Sequence, residues 1–236
     1  MSDVVLKVNG LKSGYDDKPV LQGIDFEVRQ GEITAIAGRN GVGKSTLMKT
    51  LIGLLPVTAG SIVFEGETVQ NLPVHKRARR GIGYVPQGRD VFPRLTVSEN
   101  LAIGAMAAQN PDKHYQERVF SYFPILAERL NQRAGILSGG QQQQLAIARA
   151  LVAKPQLLLM DEPSEGIQPN VTQDIARIIV RLKQDTNLSI ILVEQNIDMI
   201  CSVAQRVYVM EKGLIVAKFE SGDHLDPDVL RRYLAI

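Results

Sequence analysis

Gly38-Arg39-Asn40-Gly41-Val42-Gly43-Lys44-Ser45-Thr46 has the residue types and spacing needed to hold a phosphate. It fits the pattern G-x-x-x-x-G-K-[ST], in which a glycine-rich loop turns its backbone N–H groups inward around phosphate oxygens. Lacking side chains, Gly38, Gly41 and Gly43 let the backbone approach closely, and a helix starting behind the loop adds positive potential. Lys44 brings the charge that reaches a β- or γ-phosphate, and the Ser45 hydroxyl is a ligand type that Mg²⁺ accepts.

Two further stretches carry chemistry. Asp161-Glu162 follows the apolar run Leu157-Leu158-Leu159-Met160, which reads as a strand buried on both faces of a parallel sheet. Ligands of an open α/β sheet sit at the carboxyl ends of its strands. Asp161 there can hold Mg²⁺ through water, while Glu162 orients and deprotonates an attacking water. Leu137-Ser138-Gly139-Gly140-Gln141 is a second glycine-rich turn opening a helix, Gln142 to Leu151, and is a second anion site.

The elements that must position these groups follow from periodicity and punctuation. The P-loop lies between a β-like run, Ile33-Thr34-Ala35-Ile36-Ala37, and a helical run from Thr46 to Ile52. Before it, Val4–Val8 and Val20–Val28 are rich in β-branched residues, with Gly14, Asp16, Asp17 and Pro19 marking a turn, so an antiparallel β element is expected. Tyr15 in that turn can either stack on a nucleotide base or pack on the sheet. Gly60–Gly66 reads as a strand, and Pro73 opens a short basic helix, ended by Gly81, whose run His75-Lys76-Arg77-Ala78-Arg79-Arg80 is expected to be a solvated face. Ile82–Val85 is a strand leading into Pro86-Gln87-Gly88-Arg89. From there to Leu137 the character is helical, with breaks at Pro93, Pro111 and Pro124 and a capping box at Thr96-Val97-Ser98-Glu99. A helix from about Val171 to Lys183 puts Ile175, Ile178, Ile179 and Leu182 on one face. Ser189–Val193 is another buried strand, ending in Glu194-Gln195-Asn196. Val207–Met210 and Leu214–Ala217 form a hairpin around Lys212-Gly213, and Asp226-Pro227 caps a last helix. The fold class is therefore α/β: a P-loop core of mostly parallel sheet, approximately residues 1–86 and 138–236, with an antiparallel β part and an inserted helical subdomain at approximately 87–137.

Composition narrows the function. At 236 residues and 44% hydrophobic the chain can bury a full core. A net charge of +2 gives no support for a nucleic-acid surface. One cysteine and three scattered histidines make neither a disulfide framework nor a metal motif. No leader pattern and no apolar run of membrane-spanning length is present, so a soluble, cytoplasmic chain is expected.

In this order the motifs resemble the ATP-binding subunit of an ABC transporter over essentially the whole chain. Gly38 to Ser45 is like its Walker A, Gln87 its Q-loop glutamine, Leu137 to Gln141 its LSGGQ signature, Asp161-Glu162 its Walker B acids with the catalytic glutamate, and Tyr15 its adenine-stacking aromatic. The resemblance implies ATP and Mg²⁺ as cofactors, with Ser45, Gln87 and Asp161 toward the metal. It also implies head-to-tail pairing of two ATPases, each ATP lying between one subunit's Walker A and the other's Ser138-Gly139-Gly140-Gln141. Membrane permeases would then receive the closure. Gln195 stands where the family commonly has its switch histidine, and Gln168 where its D-loop, the segment after Glu162, commonly has aspartate. A glutamine amide can donate to a γ-phosphate but cannot take up a proton. Catalysis is therefore assigned to Glu162 as base and Gln195 as a polarising group. Glu194-Gln195-Asn196 and Glu165-Gly166 resemble one of the two ATPases of bacterial importers for branched-chain amino acids. Glu165-Gly166-Ile167-Gln168-Pro169 and Leu234-Ala235-Ile236 are more similar to the urea-importer member. That implies a heterodimer, with a homodimer as the other possibility, a periplasmic solute-binding protein, and a peripheral place on the cytoplasmic face of the inner membrane. The alternatives are a soluble ABC ATPase acting on nucleic acid or ribosome and a P-loop small-molecule kinase, which would leave Leu137 to Gln141 without a purpose.

Overall fold

The computed structural model describes residues 4–16, 18–108, 114–220 and 227–234. Strands β1 (Val4–Tyr15) and β2 (Lys18–Arg29) form the expected hairpin, followed by β3 (Ile33–Ala37), helix α1 (Lys44–Ile52), β4 (Ala59–Phe64) and β5 (Glu67–Thr68). Then come α2 (Val74–Arg79), β6 (Ile82–Val85), α3 (Val97–Ala105), α4 (Tyr115–Tyr122), α5 (Pro124–Glu128) and a 3-10 turn at Ala134–Ile136. The chain continues with α6 (Gly139–Leu151), β7 (Leu157–Asp161), α7 (Pro169–Thr186), β8 (Ser189–Glu194), α8 (Ile197–Val203), β9 (Arg206–Glu211), β10 (Leu214–Glu220) and α9 (Pro227–Leu234).

Two sheets result. One is antiparallel, in the order β2-β1-β4-β5; the other has the order β10-β9-β3-β8-β7-β6, with five neighbouring strands parallel and β10 antiparallel at its edge. Every residue of β3, β7 and β8 is buried, the mark of parallel strands covered on both faces. Val193, Leu159, Ile36, Leu47, Met48 and Leu51 share a core with β1 and β2, so α1 lies between the two sheets. On the opposite face Leu158, Met160, Ile190 and Leu192 join the apolar sides of α3 to α7. A third cluster places α8 and α9 over Ala35, Ala37, Val207 and Val209.

Several boundaries move from the sequence expectation for identifiable reasons. Helix α1 begins at Lys44, two residues ahead of Thr46, because Gly43 takes the left-handed N-cap position at φ 112°. Helix α6 begins at Gly139 because Ser138 caps it: Ser138 Oγ accepts from the Gln141 N–H, and the Ser138 N–H donates to Gln141 Oε1. Helix α7 extends over Pro169–Thr186, with proline in its first turn and left-handed Asn187 stopping it. The strand expected to run on to Gly66 ends at Phe64, and positive φ at Glu65 and Gly66 turns the chain into β5. The expected break at Pro124 is present: α4 ends at Tyr122, and the proline opens α5. The Thr96–Glu99 capping box is present at the start of α3.

The basic run on α2 is not uniformly solvated. His75, Lys76, Arg79 and Arg80 are exposed, but Arg77 is buried and donates to the carbonyls of Thr50, Leu51, Leu72 and Gln70 at 2.7–2.9 Å. It thereby satisfies carbonyls at the C-terminal end of α1, where a cation also complements the helix dipole. Of the sequence marks, Asp17, Pro111, Asp226, Ala235 and Ile236 lie outside the described residues.

Candidate functional site

The carboxyl ends of β3, β7 and β8 converge on one site. Beyond Ala37 the chain makes the loop 38–43, and Lys44, the first residue of α1, turns back into it. Lys44 Nζ donates to the carbonyls of Gly38 at 2.9 Å and Arg39 at 3.0 Å, and forms a 2.9 Å ion pair with Glu162 Oε1. Both partners are nearly excluded from solvent, with 3% and 4% of their side chains exposed. Glu162 is thus tied, through Lys44, to the edge of the glycine loop. Its backbone is left-handed at φ 47°, and its N–H donates to Val193 O at 2.9 Å on β8. Non-glycine residues persist in that region only where the surroundings over-determine them.

Asp161 is where the fit of the site to Mg²⁺ can be tested. Ser45 Oγ donates to Asp161 Oδ1 at 3.1 Å, whereas Oδ2 is buried with no hydrogen-bond partner. Burial pushes the Asp161 carboxyl up to about 6; the Ser45 hydrogen bond and the Lys44 charge oppose this, and the Glu162 charge adds to it. An orphaned buried oxygen beside a serine hydroxyl fits a hydrated cation, because Mg²⁺ keeps several waters and takes one or two protein ligands plus substrate phosphates. Among the described residues no group of three or more His, Cys, Asp or Glu could enclose a metal. Ser45 and Asp161 would hold Mg²⁺, which when bound neutralises charge on the phosphate oxygens. Gln87, from the loop after β6, donates from Nε2 to Glu165 Oε2 at 2.9 Å and to Glu162 Oε2 at 3.4 Å. Its amide is therefore engaged with the acids of the segment after β7.

Gln195 is exposed at the end of β8 and, with Gly38, Arg39, Asn40 and Leu234 of α9, lines a cavity of about 330 Å³. It therefore faces the same cavity as the first residues of the loop. The buried acid before it was not singled out by sequence reasoning. Glu194 accepts from the N–H groups of Ser164, Gln195 and Asn196 at 3.0–3.1 Å, tying the segment after Glu162 to the backbone at Gln195. Desolvation raises its pKa, and these hydrogen bonds counter the shift. The available signal was a carboxylate ending an otherwise apolar strand. Tyr15 is 44% exposed at the end of β1, with Lys49 Nζ over its ring at 6.0 Å from the centroid.

Ser138, Gly139, Gly140 and Gln141 lie elsewhere on the molecule. Helix α6, which they open, packs on α3, α5, α7 and β6, and α1 packs on β6, β7, β8, β1, β2 and α2; the two helices belong to the cores on opposite faces of the parallel sheet. Gln141 closes the cap on Ser138, whose side chain is exposed at the positive end of α6.

A glycine loop joining a buried strand to a helix, with an Asp-Glu pair ending another parallel strand, defines a P-loop nucleoside triphosphatase. Residues 21–165 match the family model described as ABC transporter. The high-affinity branched-chain amino acid transport ATP-binding protein BraG of Pseudomonas aeruginosa is 45% identical over 213 residues, 90% of this chain and 91% of that one. The lipopolysaccharide export system ATP-binding protein LptB of Escherichia coli is 34% identical, covering 97% of this chain and 96% of its own. A crystal structure of a nucleotide-free ATP-binding cassette from an ABC transporter aligns at a TM-score of 0.84 and 28% identity, over 98% of each chain. The chain belongs to the ABC transporter family, as an ATP-binding subunit, and its activity is ATP hydrolysis. The alternative of an ATPase acting on nucleic acid finds no support in these relatives.

Proposed function

We propose that this chain is one of two ATPases powering an importer for a small polar solute, of the class of branched-chain amino acids and urea. The observation that carries the reading is the separation of two phosphate-type sites on one chain, one at Gly38–Thr46 and one at Ser138–Gln141, on helices packed against opposite faces of the parallel sheet. Each is half of a site completed by another ATPase subunit. ATP and Mg²⁺ bind at Gly38 to Thr46 with Asp161, Tyr15 stacks on the base, and Gln87 reaches the metal. Glu162 deprotonates the attacking water, and Gln195 polarises the γ-phosphate without titrating. Residues 1–86 and 138–236 act as the nucleotide-binding core and 87–137 as the helical subdomain.

No helix among the described residues is long and apolar enough to cross a membrane. Transport therefore needs permease subunits, on which the ATPase pair sits peripherally at the cytoplasmic face of the inner membrane, with a periplasmic solute-binding protein opposite. An apolar groove of about 300 Å³ between α1–α2 and α3–α6 supports that docking; Leu54, Phe92 and Ile103 line it and are more than one-third exposed. Similarity to BraG favours branched-chain amino acids, and Glu165-Gly166-Ile167-Gln168-Pro169 favours urea. Uptake of radiolabelled leucine and urea by a deletion strain, rescued by the wild-type gene and not by Glu162→Gln, decides between them. Normal uptake of both solutes in the deletion strain would refute the importer reading.

A further inference from the structure

Two side chains of the loop after β6 reach the same short segment beyond Glu162. The Gln87 amide donates to the Glu165 carboxylate, and two residues on, Arg89 Nη2 donates to the Gly166 carbonyl at 3.1 Å. The Arg89 guanidinium also lies against the first residue of α6. A Cβ built on Gly139 would sit 2.9 Å from Nη1 and 3.1 Å from Nη2, so the guanidinium occupies the space that this glycine leaves open. One planar group thus touches the signature turn and the segment after the general base together. The backbone that aims it is unusual: Gly88, Arg89 and Asp90 have φ of 80°, 74° and 45°, placing two successive non-glycine residues in the left-handed region. Strain of that kind is kept where the surrounding structure holds it, and here it turns Arg89 toward both neighbours.

We infer that Arg89 is a positioning residue that clasps the Ser138–Gln141 turn to the Glu165-Gly166 segment. The inference rests on the reading of Ser138–Gln141 as half of a composite site. In that assembly this turn serves the ATP bound by the partner subunit, whereas Glu162 serves the ATP bound by its own chain. A rigid link between them makes the arrangement at one nucleotide bias the arrangement at the other, which is a coupling free energy between two sites. Arginine suits the task because its planar fork can lie flat on a glycine while donating from its edge; the compact ammonium of lysine cannot do both.

The test uses the complete transporter with its permeases and partner ATPase. Arg89→Gly removes the side chain at a backbone position that glycine adopts without strain, so the melting temperature should stay level or rise. Nucleotide affinity of the isolated chain should stay within about 2-fold, whereas ATP turnover of the assembly should fall about 5- to 10-fold and lose its cooperativity in ATP. Arg89→Lys should not restore either property. Wild-type turnover and cooperativity in Arg89→Gly, or full rescue by lysine, would overturn the clasp. Ser138→Ala separates the two levels. If it impairs turnover while Arg89→Gly does not, the clasp alone is wrong; if it leaves turnover unchanged, the composite site fails and the clasp with it.

Discussion

Lys44 and Glu162 form one ion pair yet are assigned to different steps, so their variants should separate. Lys44→Ala removes the cation that meets the phosphates and should weaken nucleotide binding by 10-fold or more, on the order of a lost charged hydrogen bond. Glu162→Gln keeps the shape of the side chain and removes its basicity, so binding should persist while hydrolysis nearly ceases. Equilibrium binding and steady-state turnover on both variants check this, and equal loss of binding in the two would contradict the assignments. Glu194 offers a pH signature. Its pKa is raised by burial, so the folded state takes up a proton at a higher pH than the unfolded state does. Its contribution to stability is therefore lost as pH rises through the interval above the ordinary glutamate value, from about pH 4 upward. Glu194→Gln cannot titrate, so the fall in melting temperature over that interval should be shallower in the variant, whatever constant offset the lost hydrogen bonds produce. A parallel pair of curves would show that Glu194 is not the group responsible.

Helix α1 depends on two unlike ends. Its N-terminus is the P-loop, and its C-terminus is closed by Gly53 in the left-handed region together with the guanidinium of Arg77. Arg77→Ala would strand buried carbonyls of Thr50 and Leu51 and leave a cavity between α1 and α2. Loss of stability of roughly 2–4 kcal/mol is expected, read as a lower denaturation midpoint at unchanged m-value. Replacing the neighbouring exposed Arg79 the same way should change stability by less than about 0.5 kcal/mol. A six-residue helix with four basic or histidine side chains has no long apolar stripe to say which one points inward. The strands were far more legible: Leu157–Met160 and Ser189–Val193 are continuous apolar runs, and such runs in an α/β chain have few places to go but the middle of a parallel sheet.

Across the whole molecule, the helices that follow Gly38–Gly43 and Ser138 pack on opposite faces of the parallel sheet, and the proposed function makes an assembly of two such chains the unit to test. Gln195→Ala should leave nucleotide binding by the isolated chain nearly intact and slow turnover of the full transporter about 10-fold or more, as loss of one electrostatic contact to a developing charge does. Unchanged turnover would show that the glutamine at the end of β8 does not take part. The cavity shared by Gln195, the phosphate loop and Leu234 adds α9 to the surroundings of that residue, a placement that the sequence pattern of the last helix did not suggest.

The amino-acid sequence by itself determined the chemistry: the phosphate loop, the Asp161-Glu162 pair and the capped turn at Ser138 each lie within a few consecutive residues, where backbone geometry and side-chain type settle the outcome. Which groups meet was decided by the tertiary structure alone. Ser45 and Asp161 are 116 positions apart, and Gln87 and Glu165 are 78 apart. Their contacts exist because the parallel order of β3, β8, β7 and β6 brings the ends of these strands to one side of the sheet. The inward turn of Arg77 and the placing of Arg89 on Gly139 likewise depend on what packs around them, because short-range pattern carries no information about a neighbour that arrives from another part of the chain.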